Sequence, residues 1–154
     1  MKNTKEVVGL PFLCIKEGLQ KGTVSELIID PASKAVMFMM VDTGKSCFGY
    51  EVVALSDVEG VGSSLVTCRS TELLSPLFEN ADAMALAYTA SDFIGSRVVS
   101  LAGEIIGDIV EFAFDEKSGG ITSLDLSDGA SLDGSALVTL TSGNVFVDNA
   151  GENK

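Results

Sequence analysis

Two short stretches carry acidic side chains at the same spacing. In GLQKGTVSELIIDPASKAV (18–36) they are Glu26 and Asp30, and in GEIIGDIVEFAFDEKSGGI (103–121) they are Glu111 and Asp115. Paired carboxylates are the material of general acid–base chemistry, in which one group accepts a proton and another gives one. Each Glu here also has a Gly four positions before it, Gly22 in one stretch and Gly107 in the other. An active site is not expected to recur in changed surroundings, whereas a structural device recurs with its fold. A structural role is therefore the expectation for Gly22, Glu26, Asp30, Gly107, Glu111 and Asp115.

Other chemistries are scarce. The chain has no histidine, so neither a Ser-His-Asp nor a Cys-His relay can be assembled. Cys14, Cys47 and Cys68 stand singly in apolar surroundings without CxxC spacing. That is the pattern of reduced, mostly buried thiols and not of a zinc site. A reactive thiol is the competing reading, with no histidine to activate it. GVGSS (60–64) is too short for a phosphate-cradling loop and reads as a turn between strands. DLSDGASLDG (125–134) offers oxygen ligands but lacks the Asp/Asn spacing and closing Glu of a calcium loop. No enzyme, no cofactor and no metal site is expected.

The chain is 46% hydrophobic and 21% charged, a composition that folds. Its longest apolar runs, such as VMFMMV (36–41), are too short to span a bilayer. The opening residues lack the pattern of an export signal, so the expectation is a cytoplasmic protein without a membrane span. The net charge of −12 is unevenly placed: residues 1–72 carry seven Lys/Arg against nine Asp/Glu, and residues 73–154 three against thirteen. So acidic a chain is repelled by phosphate backbones, and no direct nucleic-acid binding is expected. The acidic half reads either as a solvated surface or as a docking site for a basic protein.

The elements that carry these residues follow from the recurrence. A shift of 85 pairs Gly22 with Gly107, Glu26 with Glu111, Asp30 with Asp115 and Ser33 with Ser118. It goes on to pair Gly44 with Gly129, Ser46 with Ser131, Gly49 with Gly134 and Leu55 with Leu140, and at a shift of 86 Gly9 meets Gly95. This is read as an internal duplication. Apolar and β-branched runs separated by Gly, Asp, Ser and Lys predict strands near 12–16, 22–30, 35–42, 49–55 and 64–69, then near 97–101, 106–115, 120–127, 135–141 and 144–148. DPASK and DEKSGG are read as hairpin turns with Asp30 and Asp115 first, and Gly119–Gly120 supplying positive φ. Gly107 and Gly129 are likewise expected at special backbone positions.

The fold class predicted is mainly all-β: two small antiparallel barrels from an internal duplication, joined by one short helix. SPLFENADAMALAY (75–88) supplies the helix, with Ser75 as cap, Pro76 in the first turn, and Leu77, Ala81, Met84 and Tyr88 on one face. The domains expected are 1–72, a helical linker 73–90, 91–149, and a frayed tail 150–154.

Strand alternation gives a further expectation. Thr122, Leu124 and Leu126 alternate with Ser123 and Asp125, so the Leu face is inward. The same register makes Met39 and Val41 inward and leaves Phe38 and Met40 outward, an apolar stripe that needs a cover. Phe38 and Met40 are therefore the candidate interaction surface. The cover is the linker helix, the other barrel, a second copy bound through the first barrel, or a partner protein.

The stretch FIGSRVVSLAGEIIGDIVEFAFDEKSGGITSLDLSDG (93–129) resembles the first half of a PRC-barrel domain. Its features are a Gly-started strand, a polar x-G-x-x-x-G turn, a strand of the form G-x-V-x-D/E-hydrophobic-D, and a Gly hairpin. Residues 7–42 are similar but carry an inserted residue in CIKEGLQKG and no turn glycines in DPASKAV, and residues 50–68 resemble the closing strands. The resemblance marks turns and core, not a site. Relatives with this barrel include a 16S rRNA maturation factor, the photosynthetic reaction-centre H subunit, and small stand-alone proteins linked to sporulation or archaeal cell division. What it implies is a non-catalytic protein-binding adaptor. The alternative is a ribosome-assembly accessory that docks a basic ribosomal protein through its acidic second barrel. Against these two, the maturation factor has a different N-terminal domain and the H subunit a transmembrane helix, and neither is expected here. A small-ligand binder or enzyme using the crease between barrels is the third class.

Overall fold

A computed structural model of the chain describes residues 1–44, 49–86 and 88–148. Cys47, Ser46 and the tail expected to fray lie outside the described residues. The fold is mainly β and consists of two seven-stranded sheets.

The first sheet contains β2 (Pro11–Cys14), β3 (Leu19–Asp30), β4 (Ala35–Asp42), β5 (Tyr50–Ala54), β6 (Val58–Val61), β7 (Val66–Cys68) and β8 (Ser75–Pro76). It runs in the order β6-β7-β2-β3-β4-β5-β8. The second contains β9 (Arg97–Ser100), β10 (Ile105–Phe114), β11 (Ile121–Leu126), β12 (Ser131–Asp133), β13 (Leu137–Leu140) and β14 (Asn144–Val147). Its order is β12-β11-β10-β9-β14-β13, with the N-terminal β1 (Lys2–Asn3) added on β10. The pairs are antiparallel except β2 with β7 and β9 with β14, which are parallel. The two sheets are barrel-like, as expected, though among the described residues no pairing joins the two ends of either order.

One pairing scheme serves both sheets, down to its irregularities. Register shifts fall between Val24 and Glu26 and between Ile28 and Ile29 in β3, and between Ile109 and Glu111 and between Ala113 and Phe114 in β10. Phe12 meets Gly22 and Val66 in one sheet, as Val98 meets Gly107 and Val145 in the other. The closing strands therefore match with a shift of 79, not 85: Val66 answers Val145, and Leu55 answers Gly134. The pairings of Gly49 with Gly134 and Leu55 with Leu140 are thus corrected. The chain takes eleven residues from Gly44 to Leu55 but only five from Gly129 to Gly134. An uninterrupted shift slides the closing strands out of register.

The register expected for β4 holds, with Met39 and Val41 fully buried and Phe38 and Met40 half-buried. Leu124 and Leu126 are buried as expected, but Thr122 is not inward. The irregularity beside Phe114 places Ile121 inside instead. A β-bulge resets alternation by one residue.

The two sheets share one hydrophobic core, which includes Phe12, Ile29 and Met39 from the first half and Phe93, Phe112 and Phe114 from the second. Phe93 meets Phe112 edge-on at 5.1 Å between ring centroids. The halves also exchange their leading segments. Lys2 and Asn3 pair with Phe114 and Ala113 of β10, while Thr89 bridges Ile28 of β3 and the Ile29 amide donates to the Tyr88 carbonyl at 2.8 Å. A short helix follows in each case, α1 (Thr4–Val7) and α3 (Ala90–Phe93). Both are capped by their own acid: Asn3 N–H donates to Glu6 Oε1 and Thr89 N–H to Asp92 Oδ2. Each long strand thus has its otherwise open edge covered by the other half. The hairpin turns meet as well, with Ala35 bridging Gly120.

The predicted 75–88 helix is broken. Ser75 and Pro76 pair with Val52 and Glu51, Leu77–Glu79 form a 3-10 turn, and only Ala81–Leu86 (α2) is α-helical. Asn80, not Ser75, supplies the cap, its Oδ1 accepting the Ala83 amide at 2.9 Å. A side chain that can bond its own backbone two or three residues on restarts the helix there. Met84 consequently points to solvent, and Tyr88 lies beyond the helix, buried with its hydroxyl donating to the Thr141 carbonyl.

Candidate interaction face

The acids of the repeat split into two devices. Asp30 and Asp115 are turn residues as expected. Asp30 Oδ1 accepts the Ala32 amide at 3.0 Å, and Asp115 Oδ1 accepts the amides of Lys117 and Ser118 at 2.8 and 2.9 Å. The amides of Ser118 and Lys117 hold the Asp115 carboxyl below the usual carboxylate range. At the left-handed turn position Lys34 (φ 56°) stands where the second half has Gly119 (φ 82°); Gly120 does not share that conformation.

Glu26 and Glu111 do something else: they fasten the halves together. Each Glu Oε1 accepts the next amide, that of Leu27 or Phe112, at 3.0 Å. Glu111, only 5% exposed, also takes the amide of Thr4 at 3.2 Å and its hydroxyl, while Glu26 Oε2 takes the hydroxyl of Ser91. Both bonds reach the other half's leading helix. A carboxylate so engaged serves the fold as a hydrogen-bond acceptor. A cleft of about 380 Å³ opens beside Glu26, Ser91, Lys5 and Ser25.

Gly22 and Gly107 part company. A Cβ on Gly22 would stand 2.1 Å from the Asp42 carbonyl oxygen, so that strand crossing requires glycine. On Gly107 it would find only ordinary contacts at 3.6 Å and beyond, and φ is not positive there, contrary to the expectation for this residue. Gly129 does have positive φ (89°).

The stretch 125–134 spends its oxygens locally. Asp125 accepts the Ser131 hydroxyl at 2.7 Å, and Asp128 and Asp133 accept the amides of Ala130 and Ser135, each at 2.9 Å. Among the described residues no group of three potential metal ligands converges. In 60–64 the Gly62 amide donates to the Leu65 carbonyl at 2.9 Å, a tight turn. Cys14 and Cys68 are brought together across the parallel seam, a proximity the sequence spacing does not announce.

Phe38 and Met40 point out of the main core and acquire a cover from within the chain. With Ile28, Val52 and Ala83 they form a second apolar cluster, closed by Leu77 and Leu86 of the linker. The exposed apolar surface lies elsewhere. On the outward face of the second sheet Ile105 pairs with Val99, and Val99 with Phe146, making one row across three strands. Ile105 is 65% exposed and Phe146 37%, and Leu101 at the adjoining hairpin is also exposed. The matching row of the first sheet is Gln20, Leu13 and Thr67. Exposed Glu104 and Asp108 flank the row, with Arg97 on the Asp108 side bonded to Asn144 Oδ1. The signal was present in the repeat, as an apolar-for-polar exchange at outward positions, but reading it requires the inserted residue near 17–20 to be placed correctly.

No helix among the described residues is long and apolar enough to cross a membrane. No curated protein matches the chain. The family model that does match is the PRC-barrel domain, over residues 87–151, so this chain carries a PRC-barrel domain in the half that presents the apolar row.

Proposed function

We propose that the protein is a non-catalytic protein-binding module of two PRC-barrel repeats, and that its partner is a basic protein seated on the outward face of the second sheet. The observation that carries this reading is the Ile105–Val99–Phe146 row. Large apolar side chains are left in water on the half whose sequence has thirteen acidic and three basic residues. Apolar anchors desolvate on binding and supply affinity, while the surrounding charge selects a basic partner and speeds the encounter. What supports reading the first half as a second repeat is that its bulges and parallel seam fall at matching positions.

A ribosome-assembly role is the second reading, favoured by the same charge asymmetry, since ribosomal proteins are basic. Cross-linked pull-downs with wild type and an Ile105→Asn/Phe146→Asn variant, at low and high salt, test both. A basic partner held by wild type and lost from the folded variant is the expected result. Ribosomal proteins among the losses favour the second reading. The same partners on both proteins overturn the proposed face.

A further inference from the structure

Cys14 and Cys68 each end a strand of the parallel seam in the first sheet, and they are direct partners in its register. Their sulfurs lie 3.6 Å apart, both as free thiols. Adjacent strands are separated by about 4.8 Å, inside the Cα window that a disulfide spans without backbone movement. In the second sheet the same seam pairs Ser100 with Val147. The seam therefore pairs without sulfur, and the thiol pair is a feature of one half, not a requirement of the fold.

We propose that Cys14 and Cys68 form a reversible redox site, oxidised to an intramolecular disulfide by a small-molecule disulfide such as oxidised glutathione. In the first step the Cys14 thiolate attacks the reagent's disulfide and one glutathione thiolate leaves. The Cys68 thiolate then attacks Cys14 Sγ of the mixed disulfide, the new S–S bond forms, and the second glutathione leaves. Two protein thiols lose two electrons, the reagent's disulfide gains them, and the two protons end on the two glutathione thiols.

Two features set the rate. The sulfurs are 1% and 0% exposed in residue terms, yet each cysteine is followed by an exposed residue, Ile15 or Arg69, so opening of the strand ends admits the reagent. Burial, with the neighbouring Cys68 thiol, pushes Cys14 up to about 12, which keeps the pair slow at neutral pH and quickens it as pH rises. The product ties residues 54 apart in sequence and closes most of the first sheet into one loop.

The test uses the full chain with Cys47→Ser, reduced and then exposed to oxidised glutathione. Expected are a loss of two hydrogens in intact mass, loss of both alkylatable thiols, and a Cys14–Cys68 link in the peptide map. The melting temperature should rise by about 10 °C on the loop-closure scale, and dithiothreitol should reverse all of these. Cys14→Ser and Cys68→Val copy the residues of the second half, so each variant should fold while failing to close the link. Persistence of two alkylatable thiols, or of an unresolved glutathione adduct, overturns the proposal.

Discussion

The buried fastening between the halves is open to a quantitative test through Thr4→Val. Thr4 is 7% exposed and donates both its amide and its hydroxyl to Glu111 Oε1, while Glu111 Oε2 is buried with no hydrogen-bond partner. Valine keeps the branched shape and removes only the hydroxyl donor. A hydrogen bond to a carboxylate contributes about 1.5–3 kcal/mol, and both partners here are buried, so the expected cost is about 2 kcal/mol. In a chain of this size that lowers the melting temperature by about 4–8 °C. Ser91→Ala removes the corresponding donor to Glu26 at an exposed position, where solvent can substitute, and should cost about 0.5 kcal/mol. Urea unfolding of both variants at neutral pH is the assay, with an unchanged slope as the sign that the same cooperative unit unfolds. Equal effects at the two sites, or less than about 0.5 kcal/mol for Thr4→Val, would refute the reasoning that burial makes the Thr4–Glu111 bond the stronger of the two.

Three further outcomes are expected. Gly119→Ala should cost more than about 3 kcal/mol, because its Cβ would stand 2.1 Å from the Val36 carbonyl oxygen at a residue with φ 82°, whereas Gly107→Ala should be neutral or mildly stabilising; calorimetry separates them. Phe38→Ser with Met40→Asp should destabilise the folded chain by about 3 kcal/mol, by exposing and charging the contact with Leu77 and Leu86; faster proteolysis within residues 75–86 is the readout, and unchanged cleavage would contradict the cover. Asp115 and Asp133 are both held below the ordinary 3.8 by backbone amides, chiefly of Ser118 and of Ser135. Their contribution is present above the unfolded value and is lost as pH falls through the lower folded values. Stability should therefore drop below about pH 4, and less steeply in Asp115→Asn/Asp133→Asn; identical acid profiles would count against both turns.

Local chemistry made much of this fold legible. Asp30 and Asp115 declared their turns because a short carboxylate reaches its own backbone. Met39 and Val41 declared the inside of β4 because alternation in a strand is strict until a bulge intervenes, as it does at Thr122. What was hidden was everything decided between distant segments. Nothing at Asn3 or Thr4 says that these residues belong beside Phe114 and Glu111 of the other half. The longer route from Gly44 to Leu55 moved the closing strands out of the apparent register, and with them the partner of Cys14. Alternation also marks the apolar stripe at Phe38 and Met40 as a face that needs a cover. That the linker supplies it depends on where Asn80 restarts the helix.

The exchange of leading segments has a consequence for assembly and lineage. A lone repeat of this design carries an arm that finds its groove only on a neighbour, and a groove that waits for a neighbour's arm. Two identical repeats facing each other across a dyad satisfy both demands at once, which is the self-complementary logic of an isologous dimer. Read as two repeats, as proposed above, the present chain would hold that arrangement within one polypeptide, with the equivalent turn residues Ala35 and Gly120 bridging one another. Linkage in one chain makes such a pairing independent of concentration, and the two sides need not be alike. Here they differ: one side has sulfur at its seam and an apolar surface covered by the linker, and the other has most of the negative charge and an apolar row in water.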